Sequence, residues 1–190
     1  MTPDRIAGHW SEYRRIVAQM QDETLRTVVN VQNLAVCGIL VGPDGVLLGR
    51  RTSTALYHPG MWQLPPAGSV DGGAAIPGGA DLHHALMLEL REELGLGPDA
   101  VQGFRPLCMI EHPGSGVSDL GIALSTHLTH AELLAAHKAG GNDEYEMLIS
   151  APADRLLEQA AALGGAVAPP VPRFLHALRE MAALETDNRR

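Results

Sequence analysis

The chain has 190 residues, a formal charge of −8 and a hydrophobic content of 45%. That acidic balance argues against nucleic-acid backbones as partners, which require a basic patch, and Asp4, Arg5 and Glu12 interrupt the stretch where a signal peptide needs an unbroken apolar core. No window approaches the length of a membrane span without charges or Gly and Pro breaks, so no membrane partner is expected and the cytoplasm is the expected compartment.

The length suits one domain over residues 1–190, with 1–25 as an N-terminal helical extension and 164–190 as linker and C-terminal helix. In chain order, Ile6, Trp10, Tyr13, Val17 and Met20 recur at helical spacing and predict a helix over 3–20, a candidate seam for a homodimer. Residues 27–41 are β-branched and apolar and read as strand, kink and buried strand. Gly42-Pro43-Asp44-Gly45 turns the chain into a hairpin partner over 46–51. Residues 71–80 carry four glycines and a proline and read as loop, without the Gly-Lys-Ser/Thr of a phosphate-binding loop. Asp81 is placed to cap a helix ending at Gly95. Two strands, 101–111 and 117–128, flank a loop at 112–116. Thr129 opens a short helix to Lys138, 140–143 turns, and 144–150 is the last strand. Helices over 152–163 and 173–184 follow, separated by a Gly/Ala/Pro-rich linker, and residues 185–190 read as a frayed tail. Cys37 and Cys108 sit among apolar neighbours and read as buried thiols.

The chain is organised around Leu82 to Leu96. Glu89, Glu92 and Glu93 stand at i, i+3 and i+4 on one side of the helix, where they can converge on a cation, while Leu86, Leu90 and Leu94 form an apolar stripe beside them. A solvated acidic face is the competing reading, since like charges at this spacing cost only about 0.2–0.5 kcal/mol per pair.

The run Glu89-Leu90-Arg91-Glu92-Glu93-Leu94-Gly95-Leu96 resembles the end of the Nudix box, G-x5-E-x7-R-E-U-x-E-E-x-G-U, and Trp62 to Gly68 resembles the strand and Pro-Ala-Gly loop before it. Gly68 and Leu88 are twenty residues apart where the family has fourteen, which implies an insertion of six. Leu88 stands in place of the box arginine, and Ala74 or Ala80 in place of its first glutamate. The resemblance implies an α/β/α sandwich with a mixed sheet. It also implies a Mg²⁺- or Mn²⁺-dependent pyrophosphohydrolase acting on a nucleoside diphosphate linked to another group, such as a sugar. Under it Glu92 and Glu93 are the principal metal ligands, Glu89 a ligand or the water-activating base, and the Ala67 carbonyl a further ligand. Arg50, Arg51 and Gly68 then reach the substrate. The alternative is a ligand-binding or regulatory module whose box has decayed.

Hard divalent cations favour oxygen ligands and bridge carboxylates to phosphates, so an acidic protein can hold a nucleotide through a metal. His83 and His84 diverge on a helix and no zinc spacing occurs. Tyr57 and Trp62 are candidates to stack on a base or sugar, or to be core aromatics. A further carboxylate is expected from Asn142 to Glu146. Strict alternation would put Tyr145, Met147 and Ile149 on one face and point Glu144 and Glu146 together as candidate general bases. Leu88 is expected to be covered by the inserted loop.

Overall fold

The computed structural model describes residues 6–112 and 116–187. Strands β1 (Asn33–Gly42), β2 (Gly45–Arg51), β3 (Trp62–Gln63), β4 (Ala67–Ser69), β7 (Gln102–His112), β8 (Val117–Ser125) and β9 (Tyr145–Ala151) form one mixed sheet, and β5 (Ala75–Ile76) and β6 (Gly79–Ala80) form a separate hairpin. The helices are α1 (Tyr13–Gln21), α2 (Arg26–Val29), α3 (Leu82–Leu94), α4 (His130–Gly140), α5 (Leu156–Ala162) and α6 (Val171–Asp187). The sheet order is β3-β2-β1-β8-β7; β4 adds to β1 and β9 adds to β2. Strands β1 and β8 run parallel from Asn33 opposite Val117 to Val41 opposite Ser125, and the other pairings are antiparallel.

Residues alternate between two buried layers because successive strand side chains point to opposite faces. Val36, Leu40, Leu47, Leu120, Ile122 and Leu124 pack under α3 and α4, meeting Leu86, Leu90, Leu94 and Leu133. Cys37, Ile39, Val46, Leu48 and Ala123 pack on the other side against Leu156, Phe174, Leu175 and Leu178 of α5 and α6. Each buried leucine contributes roughly 1.5–3 kcal/mol, so the α3 stripe alone fixes that helix to the sheet. This is the α/β/α sandwich with a mixed sheet, and it carries an N-terminal helix.

The N-terminal region departs from its periodicity. Residues 3–5 of the expected helix lie outside the described residues, and the helix itself begins only at Tyr13. Ile6 and Trp10 are 40% and 52% exposed, so their spacing meets no surface to bury against. What docks α1 is Ile16 together with the buried amide of Gln19, which donates to the Val31 carbonyl at 2.9 Å and accepts from the Val31 N–H at 3.1 Å. The β-branched run at 27–29 forms one helical turn, closed by Asn30 at φ 43°, with Val28 in solvent. Propensity there yields to the absence of a strand partner.

Later elements follow their expected order with shifted ends. Thr129 caps α4 in a reciprocal box with Glu132. The segment at 164–172 is held rather than loose. Trp62 donates its Nε1–H to the Gly164 carbonyl at 2.8 Å, and its backbone exchanges hydrogen bonds with Ala166 and Ala168, each at 2.8 Å. Helix α6 starts at Val171 and includes residues 185–187, so the expected tail is partly helical; residues 113–115 and 188–190 lie outside the described residues. Among the described residues no helix is long and apolar enough to cross a membrane.

Gly121 on β8 faces Phe174, and a Cβ there would overlap the phenyl ring. Gly121→Ala is therefore expected to cost about 1–3 kcal/mol through overpacking and to lower Tm, with Phe174→Leu restoring part of the loss in the double variant. A Tm in Gly121→Ala equal to the parent would show that the α6 layer is looser than this packing implies.

Candidate active site

Helix α3 carries the acids, and its ends are fixed locally. The Asp81 carboxylate accepts from the His84 N–H at 2.9 Å, and Gly95 at φ 67° sends its N–H back to the Arg91 carbonyl at 3.0 Å. Three turns of helix then place Glu89 and Glu93 toward β4. Glu93 is completely buried; its Oε2 accepts the Ala67 N–H at 3.0 Å, and its Oε1 has no hydrogen-bond partner among the described residues. Glu89 presses its carboxylate against Gly68, and a Cβ on that glycine would overlap it. Glycine is thus needed at 68 for space as well as for loop geometry. Glu92 is exposed, and its backbone carbonyl accepts from the Asn142 N–H at 2.8 Å.

Leu88 is half-buried under the inserted segment. Its Cδ1 is 3.4 Å from where a Cβ of Gly73 would stand, and Ala74 is buried in the same layer. Of the inserted loop, Gly73 approaches Leu88 and Ala74 is buried in the α3 layer, whereas Ala75, Ile76 and Pro77, expected to cover Leu88, are exposed.

The arginines of β2 separate to opposite faces, as adjacent strand residues must. Arg51 is buried and donates from Nη1 to Glu144 Oε1 at 2.5 Å and to Gln63 Oε1 at 3.3 Å, its guanidinium lying 5.9 Å from the Tyr145 ring centre. Arg50 instead pairs with Glu146 at 2.6 Å and lies 5.6 Å over the Trp62 ring. Two expectations are corrected here. Trp62 is fully buried in the α5/α6 layer and is a core residue, closed to substrate stacking. Glu144 and Glu146 do not point together, because the β2–β9 register slips by one residue between Arg50 opposite Met147 and Arg51 opposite Tyr145. That bulge puts Tyr145 and Leu148 in the α3 layer and Ile149 in the other, and leaves Glu146 and Arg50 on the far side from Glu89.

A cleft of about 190 Å³ opens between these elements, lined by Arg51, Gln63, Ala67, Gly68, Glu89 and Glu144, and on its other side by Asn33, Tyr57, Asp119 and residues Tyr13 and Met20 of α1. Asp119, Tyr57 and His112 form a hydrogen-bonded group there. In the sequence Tyr57 reads as a stacking or core aromatic and His112 as a loop or pocket polar group, and Asp119 is missed, its signal being a lone carboxylate inside the apolar run Val117 to Leu124. A second cavity of about 260 Å³ lies behind Tyr57 and His112, against Pro169, Pro170 and Arg173 at the start of α6.

The electrostatics are those of carboxylates lacking counter-charge. Burial, then the charges of Glu92, Glu144 and Asp71, push the Glu89 carboxyl up to about 7. Burial and the charges of Glu144 and Glu89 raise Glu93 far above the carboxylate range, the Ala67 N–H and Arg51 opposing. His58 is held down at about 4, first by burial and then by neighbouring His112. Burial also raises the thiols of Cys37 and Cys108, both free. Among the described residues no three His, Cys, Asp or Glu side chains form a ready-made metal cluster. The donor chemistry nonetheless suits a hard cation. An orphaned buried oxygen on Glu93 and a proton-hungry Glu89 lie next to the Pro-Ala-Gly loop, whereas the exposed Glu92 must turn inward to join them.

No protein-family model and no curated protein matches the sequence. Solved structures do match. A Nudix hydrolase from M. smegmatis, RenU, superposes with a TM-score of 0.54 at 16% identity over 81% of this chain and 86% of its own. A NUDIX hydrolase from Nitrosomonas europaea gives 0.54 at 14% over 78% and 89%. The NUDIX domain of Shewanella oneidensis NrtR, solved with ADP ribose, gives 0.51 at 14% over 90% and 99%. With the mixed sheet, the two helical layers and the acidic α3 in place, these likenesses identify the fold of this chain as the Nudix fold.

Proposed function

We propose that this protein is a divalent-metal-dependent pyrophosphohydrolase that cleaves the phosphoanhydride of a nucleoside diphosphate joined to another group. The observation that carries the reading is Glu93, a fully buried carboxylate with one oxygen tied to the β4 backbone and the other without a hydrogen-bond partner among the described residues, beside a second, protonation-prone carboxylate. Without a cation these buried carboxyls hold their protons, and a bound cation would stabilise their ionised form. Glu93 Oε1, Glu89, the Ala67 carbonyl and an inward-turned Glu92 would hold Mg²⁺ or Mn²⁺, which when bound would polarise the phosphoryl oxygens and offset their charge.

The chain's own groups have separate tasks. Glu89 is either a ligand of that cation or, left off it, the carboxylate beside the Pro-Ala-Gly loop that takes a proton from an attacking water. Glu144 is engaged by Arg51 and holds that guanidinium at the cleft wall, where it can meet a phosphate. Arg50 and Glu146 brace the opposite face. The competing module reading draws on Leu88 in the arginine position and on the exposure of Glu92, and the assay below separates the two.

Nucleoside diphosphate sugars, dinucleoside polyphosphates and nucleoside triphosphates should be incubated with Mg²⁺ or Mn²⁺ and the products resolved. Metal-dependent release of a nucleoside monophosphate from at least one class is expected. Glu93→Gln and Glu89→Gln should each reduce that turnover by about 10²-fold or more. Nucleotide binding without turnover would favour the module, and parent-like rates in both variants would displace the site.

Stability without metal should depend on pH in a defined direction. The folded Glu89 carboxyl titrates at about 7 against an ordinary 4.5, so the native state binds the extra proton between those values. Its contribution is present below about 4.5 and is lost as pH rises through 7. In chelator, Tm should fall from pH 5 to pH 8 by a few degrees, roughly. Glu89→Gln should flatten the slope and saturating Mn²⁺ should reduce it. An unchanged slope in Glu89→Gln would place the titrating group elsewhere.

A further inference from the structure

Helix α1 reaches the cleft, and the proposed hydrolysis gives it no task. Tyr13, Ile16 and Met20 stand at i, i+3 and i+7, on one face of the helix. Ile16, 2% exposed, anchors that face, and the Gln19 amide ties the last turn to Val31. The residues on either side of Ile16 in this stripe, Tyr13 and Met20, line the cleft together with Arg51, Gly68, Glu89 and Glu144. The charged side chains next to Tyr13 are paired locally, Arg14 and Arg15 both with Glu12. What α1 brings to the cleft is therefore an aromatic ring and a thioether on a docked helix.

The Tyr13 ring takes no part in the core. Tyr13 is 58% exposed, belongs to neither buried cluster and meets no other ring among the described residues. The other tyrosine of the cleft, Tyr57, already has the His58 ring 3.9 Å from its own, and Trp62 is closed inside the α5/α6 layer. A nucleoside diphosphate is highly charged at one end and flat and aromatic at the other. Arg51 and a cation held by Glu89 and Glu93 suit the first end; the second needs carbon surface in the same cleft. Tyr13 supplies a planar face, and Met20, flexible and polarisable, can adapt to the edge of a ring.

We propose that Tyr13 stacks on the nucleobase of the substrate, with Met20 beside it, so that α1 selects a nucleotide over a base-free sugar phosphate. This rests on the reading of the cleft as a nucleoside diphosphate site and names the residue that recognises its aromatic end. Every base presents a π face, and a stacked contact needs no hydrogen bond to a base edge. The preference is therefore for a base and not for one particular base.

The test reads binding without turnover. The full chain in chelator is titrated with AMP, with UMP and with ribose 5-phosphate, which lacks only the base. The parent should bind both nucleotides about tenfold more tightly than ribose 5-phosphate. Tyr13→Ala should bring that ratio close to one with the ribose 5-phosphate affinity unchanged. Tyr13→Phe and Tyr13→Trp should keep it, since the ring and not the hydroxyl makes the contact. AMP should quench the tryptophan fluorescence of Tyr13→Trp beyond that of the parent, and ribose 5-phosphate should not. A parent without preference for a base overturns the proposal, as does a Tyr13→Ala variant that keeps the ratio. If that variant also sediments more slowly than the parent, the exposed ring is a contact between copies of the chain. Metal-dependent turnover with an unchanged ratio in Tyr13→Ala would reject the stacking and keep the hydrolase reading. A ratio that collapses in Tyr13→Ala, with no turnover in the parent, would keep the stacking and reject the hydrolase reading alone.

Discussion

The bond from the Ala67 N–H to the fully buried Glu93, 3.0 Å long at Oε2, joins helix α3 to strand β4 and sets the terms for everything around it. Once that carboxylate is seated, Glu89, one turn earlier, falls against the loop, and only a glycine at position 68 leaves room for it. Strand β4 is in turn held by β1, through Cys37 opposite Ala67 and Val36 opposite Gly68, so the acids are registered against the centre of the sheet. The far end of α3 is fixed as well. The Glu93 carbonyl lies 2.8 Å from His137 Nδ1, whose Nε2 lies 3.3 Å from the Tyr145 carbonyl, linking α3, α4 and the start of β9.

The alternation of strand side chains then divides the polar groups. Residues 47, 49 and 51 face α3, and Gly49 is bare because the Tyr145 ring occupies the space of a Cβ. Arg51 therefore enters the acidic layer and Arg50 leaves it. The bulge opposite them repeats the division for Glu144 and Glu146. One layer has Trp62 and Phe174 at its centre; the other packs the α3 leucines on the sheet and holds the carboxylates beside β4.

Much of this was legible in the sequence. The leucine stripe, Asp81 and Gly95 at the helix ends, the Gly42–Gly45 turn and the Thr129 cap are local signals, and the local structure follows them; of the three acids, Glu89 and Glu93 face β4 while Glu92 is exposed. The approach of the inserted loop to Leu88 is legible only in part: Gly73 comes to it, but Ala75, Ile76 and Pro77 face solvent. What failed needed partners distant in sequence. Nothing in Glu144-Tyr145-Glu146 announces a bulge that depends on β2, and a one-residue slip reverses every face assignment. Trp62 read equally as stacking platform or core until the 164–168 segment was seen to close over it. The N-terminal spacing misleads: Ile6, Trp10 and Tyr13 are exposed, and the residues that bury are Ile16 and Gln19, which lie outside it. Asp119 was hidden because its significance comes from His112 and Tyr57, one across a strand pairing and the other from a loop 62 residues away.

The central claim is that buried Glu93 and half-buried Glu89 share a divalent cation. Calorimetric titration of the chelator-stripped full chain with Mn²⁺, in the parent and in Glu93→Gln and Glu92→Gln, addresses it without any assumption about substrate. Saturable binding in the parent is predicted, abolished in Glu93→Gln and weakened to a smaller degree in Glu92→Gln, whose side chain must turn inward to contribute. A parent that shows no saturable binding, or a Glu93→Gln variant that binds as the parent does, would contradict the account.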